Sequence, residues 1–288
     1  IIVYDENIPY FYNFLPNLKD IQSLTHPKLK QIPENSVFFA VDCSNVQRLG
    51  RLNDIKNRCS LVVNIDHHPD NSLYGNINQV DPNCPATTVL IYQIAKKIEA
   101  KLDSSLSMAL LTGLITDTGG FQYVELNQNL LNILEDLINQ GASVSTIMRY
   151  AFKCRRYSAL KLLGIALNHF TYDYQYHFGL TYLLQSDFEL CHASDEDTEG
   201  IVDYGLYIPG SLISVFIKEI DHQTFKVSLR SQEDTNILQI AHAFGGGGHL
   251  KAAGFKMNGD FNTIFQTLKE HIRGYLSSQS GAPQSLSV

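Results

Sequence analysis

Residues 59–69 read Cys59-Ser-Leu-Val-Val-Asn-Ile-Asp66-His67-His68-Pro69. This apolar, β-branched run predicts a buried strand. An acid and two imidazoles follow at its carboxyl end, and a proline stops it. A second run, residues 36–41 (SVFFAV), ends at Asp42. Both are too continuous for a half-solvated sheet. Strands with polar carboxyl ends, interleaved with helices, predict an α/β fold with a mostly parallel sheet. Its ligand site should lie at those carboxyl ends. Neighbouring parallel strands would then bring Asp42 beside Asp66 and His67.

Working outward, periodic apolar residues predict helices over 85–102, 105–115 and 127–140. Pro85 suits a first helical turn and Gly141 a helix stop. Residues 148–170 begin basic (Lys153, Arg155, Arg156, Lys161) and then turn apolar, which predicts a connecting helix. The expected organisation is therefore a catalytic domain over 1–147, a linker helix over 148–170 and a smaller α/β domain over 171–288. A cleft would lie between the two domains. Strands are expected at 178–184, 212–217 and 225–229, a final helix at 261–275, and a frayed polar tail at 277–288.

The 288 residues carry 22 Lys+Arg against 29 Asp+Glu, a net charge of −7. A global basic field is absent, so tight binding to long duplex nucleic acid is not expected. Short anionic substrates remain open, because a metal or a few local arginines can override the net charge. The five cysteines are scattered and form no CxxC pair. That disfavours structural zinc and fits reduced thiols in the cytoplasm. No apolar stretch is long enough to span a membrane, and no signal peptide is apparent. The chain opens Ile1-Ile2-Val3-Tyr4, which reads like the inside of a fold with further residues expected upstream.

Three stretches carry chemistry. In Asp66-His67-His68 one imidazole could bind a divalent metal while the other faces a phosphate; a plain surface loop is the alternative. Asp42 is either a metal ligand or a helix N-cap. Asp117, in Thr116-Asp117-Thr118-Gly119-Gly120, sits where a helix dipole disfavours a carboxylate. A metal would offset that cost, although an ordinary turn Asp is the plainer reading. Gly245-Gly246-Gly247-Gly248-His249 could present successive amides as an anion nest, or simply be a flexible loop. Ser228-Leu229-Arg230 closes a strand nearby in sequence, and Arg230 could fork onto a phosphate.

Asp66-His67-His68, the intervening Asp117-Thr118-Gly119, and the Gly245–His249 run with Ala252-Ala253-Gly254 together resemble the DHH phosphoesterase superfamily with its DHHA1 domain. Within it the chain is similar to the bacterial NrnA type. That resemblance implies a metal-dependent phosphodiesterase and exoribonuclease. Such an enzyme degrades short RNA or DNA oligonucleotides to mononucleotides and dephosphorylates 3'-phosphoadenosine 5'-phosphate to AMP. It implies two divalent ions, usually Mn2+ (Mg2+ or Co2+ also fit), held by Asp42, His67 and Asp117. Asp66 and His68 would be catalytic: Asp66 orients the site and His68 faces the scissile phosphate. Ser228, Arg230, Gly246, Gly247, Gly248 and His249 would bind substrate. A homodimer is a reasonable expectation, and no membrane partner is.

The family's first motif, HxxPDxDxxGS, does not occur in this sequence. It is expected upstream of residue 1, because three ligands that would otherwise have no use are retained. The alternatives are a cyclic-dinucleotide or pApA phosphodiesterase of the same chemistry, or a catalytically degenerate nucleotide-binding protein.

Overall fold

The computed structural model describes residues 1–4, 8–232 and 235–279. The chain divides into two compact units, Ile1–Cys154 and Arg155–Val288. Positions 280–288 of the expected polar tail lie outside the described residues.

In the first unit a two-residue strand β1 (Ile2–Val3) pairs parallel with β2 (Ile21–Gln22). The main sheet is β3 (Val37–Val41), β4 (Leu61–Asp66) and β5 (Ile77–Val80), parallel throughout and in that order. A short helix α1 (Leu52–Lys56) leads from β3 toward β4. After β5 the chain forms α2 (Thr87–Lys97), α3 (Ser104–Asp117), α4 (Gln128–Asn139) and α5 (Val144–Met148). The central strand β4 is largely buried, as its sequence requires.

Strand β3 departs from the expectation. Phe38 and Ala40 point into a small core with Cys43 and Leu49, but Val37, Phe39 and Val41 stand 45–62% exposed. An apolar run reports burial only when both faces are covered, and β3 is an edge strand with one face open among the described residues. Helix α3 needs no such cover. Asp103 caps it by accepting from the Leu106 amide at 2.9 Å, and Leu111, Leu114 and Ile115 are buried in the core of this unit. Each side chain of that kind stabilises the fold by about 1.5–3 kcal/mol. In α4, Asn127 caps the start and Leu130, Ile133 and Leu137 form the buried stripe. Gly141, at φ +100°, ends the turn that follows.

Residues 148–170 are not one helix. A single wide turn spans Arg149–Lys153, and the chain is extended at Cys154 and Arg156. Helix α6 (Tyr157–Asn168) then begins the second unit, burying Leu162 and Ala166 against Leu183 and Phe216. Likewise α2 starts at Thr87, so Pro85 precedes it.

The second unit is a six-stranded sheet ordered β10-β11-β9-β8-β7-β6. Its strands are β6 (Thr171–Asp173), β7 (Phe178–Leu183), β8 (Ile213–Asp221), β9 (Thr224–Ser231), β10 (Gly247–Gly248) and β11 (Ala252–Asn258). Only β7 and β8 run parallel; the other neighbours are antiparallel. Helices α7 (Gln185–Cys191) and α8 (Leu238–Ala243) lie between strands in sequence. The last helix, α9 (Phe261–Gln279), carries Ile264, Leu268, Ile272 and Leu276 at four-residue spacing. All four are buried in the core built on Ile213, Val215, Val227 and Leu229. This stripe continues past Tyr275, so residues 277–279 are helical rather than frayed.

Candidate metal centre

The parallel register sets Val41 opposite Ile65, and the Asp42 amide donates to the Ile65 carbonyl at 2.9 Å. Asp42 and Asp66 therefore leave the sheet side by side. Asp42 has φ +60°, a left-handed conformation that short polar residues tolerate best. The turn leaves its carboxylate half-exposed, with Oδ1 accepting from the Thr87 hydroxyl at 2.6 Å. Thr87 opens α2, so the start of that helix is anchored to the strand-end acid.

His67 is held by its far nitrogen: Nδ1 lies 3.0 Å from the Cys84 carbonyl. A carbonyl only accepts, so Nδ1 carries the proton. Nε2 then offers its lone pair, and it faces Asp117 Oδ2 at 3.1 Å and Asp42 Oδ1 at 3.8 Å. Acceptor meets acceptor around this point, which a proton on the ring or on a carboxyl, or a bound cation, resolves. Asp117 comes from the last turn of α3. Burial pushes its carboxyl above the ordinary value; His67 opposes that and Asp42 adds to it.

His68 has a different environment. Nδ1 lies 2.7 Å from Asp66 Oδ1, and Nε2 lies 3.2 Å from Arg48 Nη1. A guanidinium only donates, so Nε2 accepts and the Nδ1 proton goes to Asp66. Asp66 is fully buried. Its Oδ2 accepts from Asn71 at 2.6 Å, and Asn71 also reaches Asn64 Oδ1 at 2.8 Å. Burial alone would raise the Asp66 carboxyl, but the hydrogen bonds from His68 and Asn71 outweigh it and hold the group below its ordinary value.

Ligand-type atoms of Asp42, His67 and His68 all lie within 4.8 Å of one another, although both His68 nitrogens are already engaged by Asp66 and Arg48. The donor set fits a hard or borderline divalent cation. The carbonyl behind His67 is the outer support that orients a metal-binding imidazole. Arg48, Thr87, Asn71 and Cys84 were not singled out from the sequence. No local signal marks them, because each meets its partner only after the strands and helices pack.

The second unit gathers its own residues. On β9, Ser228 and Arg230 pair with Gly254 and Ala252 of β11, and β11 pairs with Gly247 and Gly248 of β10. Arg230 donates through Nη1 to the Leu229 carbonyl at 3.1 Å, and its Nε lies 3.6 Å from Asp203 Oδ1. Burial raises the Asp203 carboxyl, with Arg230 opposing.

The glycine run is not a string of open amides. Gly245, at φ +73°, caps α8. Its amide donates to the His242 carbonyl at 3.0 Å, and the Gly246 amide donates to Ala241 at 2.8 Å. Both donors close the helix end. The His249 amide closes the hairpin onto the Ala252 carbonyl at 2.8 Å. A Cβ on Gly246 would sit 2.3 Å from the Gly254 carbonyl oxygen, so this glycine serves close packing. Gly247 is exposed, and a Cβ there meets nothing within 4 Å.

Comparison with known proteins defines the class. Residues 9–115 match the DHH family N-terminal domain and residues 191–274 match the DHHA1 domain. The chain thus has the DHH/DHHA1 domain architecture, with the DHH domain in its first half and the DHHA1 domain in its second. More particularly, it is homologous to proteins of the NrnA type. It is 27% identical over 274 residues to the bifunctional oligoribonuclease and PAP phosphatase NrnA of Thermus thermophilus, spanning 93% of this chain and 79% of that one. The protein of the same name from Bacillus subtilis is 22% identical over 245 residues, covering 84% and 74%. Among solved structures, an exopolyphosphatase-related protein from Bacteroides fragilis superposes with a TM-score of 0.90 at 25% identity. The superposition covers 96% of this chain and 83% of that one. Among the described residues, no helix is long and apolar enough to cross a membrane. All five cysteines are free thiols.

Proposed function

We propose that the protein is a cytoplasmic, Mn2+-dependent phosphoesterase that hydrolyses short oligonucleotides to mononucleotides and removes the 3'-phosphate of 3'-phosphoadenosine 5'-phosphate. One observation carries the reading. His67 Nε2, fixed from behind by the Cys84 carbonyl, points its lone pair between Asp42 and Asp117. A divalent cation resolves that acceptor cluster, and the names of the relatives supply the substrate class.

In this reading Asp42, His67 and Asp117 would hold divalent ions. Bound there, the ions supply Lewis-acid polarisation of the phosphoryl group and an activated water. Asp66 and Arg48 lock the tautomer and plane of His68. The Arg48 guanidinium, 3.2 Å from His68 Nε2, brings fixed positive charge to the His68 side of the site, where it would offset charge that builds on phosphoryl oxygens as the bond breaks. Thr87 holds the Asp42 carboxylate in one rotamer. In the second unit, Arg230, Ser228 and His249 bind the substrate's remote phosphate. Gly247 gives that phosphate open backbone to approach. Gly246 and Gly248 shape the hairpin, and Gly246 does so through its packing.

The test is turnover of a 5'-phosphorylated dinucleotide and of 3'-phosphoadenosine 5'-phosphate by the full-length protein, with and without Mn2+. Turnover should require the metal. Asp117→Asn should lower it by at least ~100-fold while the circular dichroism spectrum is unchanged. Metal-independent turnover, or full activity in Asp117→Asn, overturns the proposal.

A further inference from the structure

A cavity of about 240 Å3 opens beside the edge strand β6, lined by Tyr172, Asp173, Tyr174, Lys269 and Arg273 over a floor that includes Phe178. It lies at the sheet edge opposite the glycine hairpin and three strand spacings, about 14 Å, from Arg230 on β9. β6 and β10 are the two opposite edges of the six-stranded sheet, so about 24 Å of sheet separates them at ~4.8 Å per strand.

The walls are built rather than incidental. Asp173 Oδ1 accepts from the amides of Gln175 and Tyr176, each at 3.1 Å. That pins the turn that carries Tyr174. Asp173 Oδ2 accepts from Arg273 Nε at 2.8 Å and lies 2.7 Å from Nη2. One edge of the guanidinium is thereby fixed, and its carbon lies 5.8 Å from the Tyr176 ring centroid. Asp173 thus spends both oxygens on holding the wall. Lys269 makes no ion pair or hydrogen bond among the described residues. With Asp173 balancing only one of the two cations, the cavity keeps a net positive charge. Tyr174 stands 81% exposed. It is steadied by the edge of Tyr172, with centroids 5.0 Å apart and planes 77° apart.

An ordered, exposed aromatic face beside an unbalanced lysine and an oriented arginine is the donor set for a flat ring carrying a phosphate. Any base can stack on such a ring through its π-face, and the cations match phosphate. We propose that this cavity is a second nucleotide-binding site, in which Tyr174 stacks the base while Lys269 and Arg273 take the phosphate. The nucleotide is either a free mononucleotide or one residue of an oligonucleotide. The site uses none of the residues assigned above to hydrolysis.

The experiment is calorimetric titration of the full-length protein in EDTA, where no turnover intrudes. The background is Arg230→Ala/His249→Ala, which silences the other anion strip. AMP, a 5'-phosphorylated dinucleotide and inorganic phosphate are titrated separately. Near-stoichiometric nucleotide binding should persist in this background, with inorganic phosphate much weaker. Tyr174→Ala and Lys269→Ala should each weaken it by ~10-fold, whereas Tyr174→Phe, which keeps the ring, should retain it. Tighter binding of AMP assigns the site to free mononucleotides, and tighter binding of the dinucleotide assigns it to oligonucleotides. No nucleotide binding in the silenced background overturns the proposal. So does binding that neither substitution weakens. Because no metal or hydrolysis is involved, either failure leaves the metal centre to stand or fall by its own test.

Discussion

The two units assemble their candidate groups in opposite ways. In the first, side chains from residues as distant as Asp42, His67 and Asp117 converge with more lone pairs than protons. In the second, the residues are close in sequence, but much of the glycine run is consumed by its own fold. The difference teaches where chemistry is stored. The first region is held together by a polar network and left short of positive charge. The second is held together by backbone, with Gly247 left open and Arg230 of β9 paired to Asp203.

The largest test of that contrast is Asp66→Ala. It strips acceptors from His68 and Asn71 inside a fully buried site, and each orphaned donor costs about 1–3 kcal/mol. Urea unfolding should show the loss in the first unit; an unchanged midpoint would mean the network is ornamental. Next come two glycines of the same run. Gly246→Ala forces a Cβ against the Gly254 carbonyl and should destabilise by about 1–3 kcal/mol. Gly247→Ala points into open space and should stay within about 0.5 kcal/mol. If the proposed phosphate approach is right, Gly247→Ala nonetheless weakens substrate binding, seen as a raised KM. Equal melting temperatures for the pair would contradict the packing account.

Smaller again is Thr87→Val, which removes the hydroxyl from the partly exposed Asp42. Stability should change by under about 1 kcal/mol, but Mn2+ affinity by ~10-fold, as for other supports of metal ligands. Titration of the metal checks it. The smallest effect concerns pH. Burial would raise the Asp173 carboxyl, but hydrogen bonds and the charge of Arg273 hold it below its ordinary value of 3.8. Its stabilisation is therefore complete above that value and is lost as pH falls through the lowered one. Asp173→Asn should lose that contribution at neutral pH, change stability little in acid, and so flatten the acid limb of the stability curve below about pH 4.

Much of this was legible beforehand, for physical reasons. An apolar, β-branched run ending in acid and imidazoles reads as a buried strand delivering polar groups to the sheet's carboxyl end, and parallel pairing puts Asp42 beside Asp66. Asp117 joins them because α3 buries its apolar length in the same core as Ile65 of β4, packed against α2 and α4. Arg48 and Thr87 were not legible, since nothing local distinguishes an arginine or a threonine that will later meet a histidine or an aspartate. The exposure of Val37, Phe39 and Val41 was missed because composition does not say whether a strand is central or at an edge. The short strands β6 and β10 are too brief for any period to appear. The glycine run suggested free amides, and only the helix end of α8 shows where two of them go.

The positive φ at Asp42 has a consequence for how this site can decay. Glutamate keeps the charge but fits that backbone poorly, whereas asparagine and glycine fit it and carry no charge. The easiest substitutions at this position are thus the ones that preserve shape and erase reactivity. A lineage could pass from enzyme to inert look-alike in one step, and no inspection of its fold would reveal the passage.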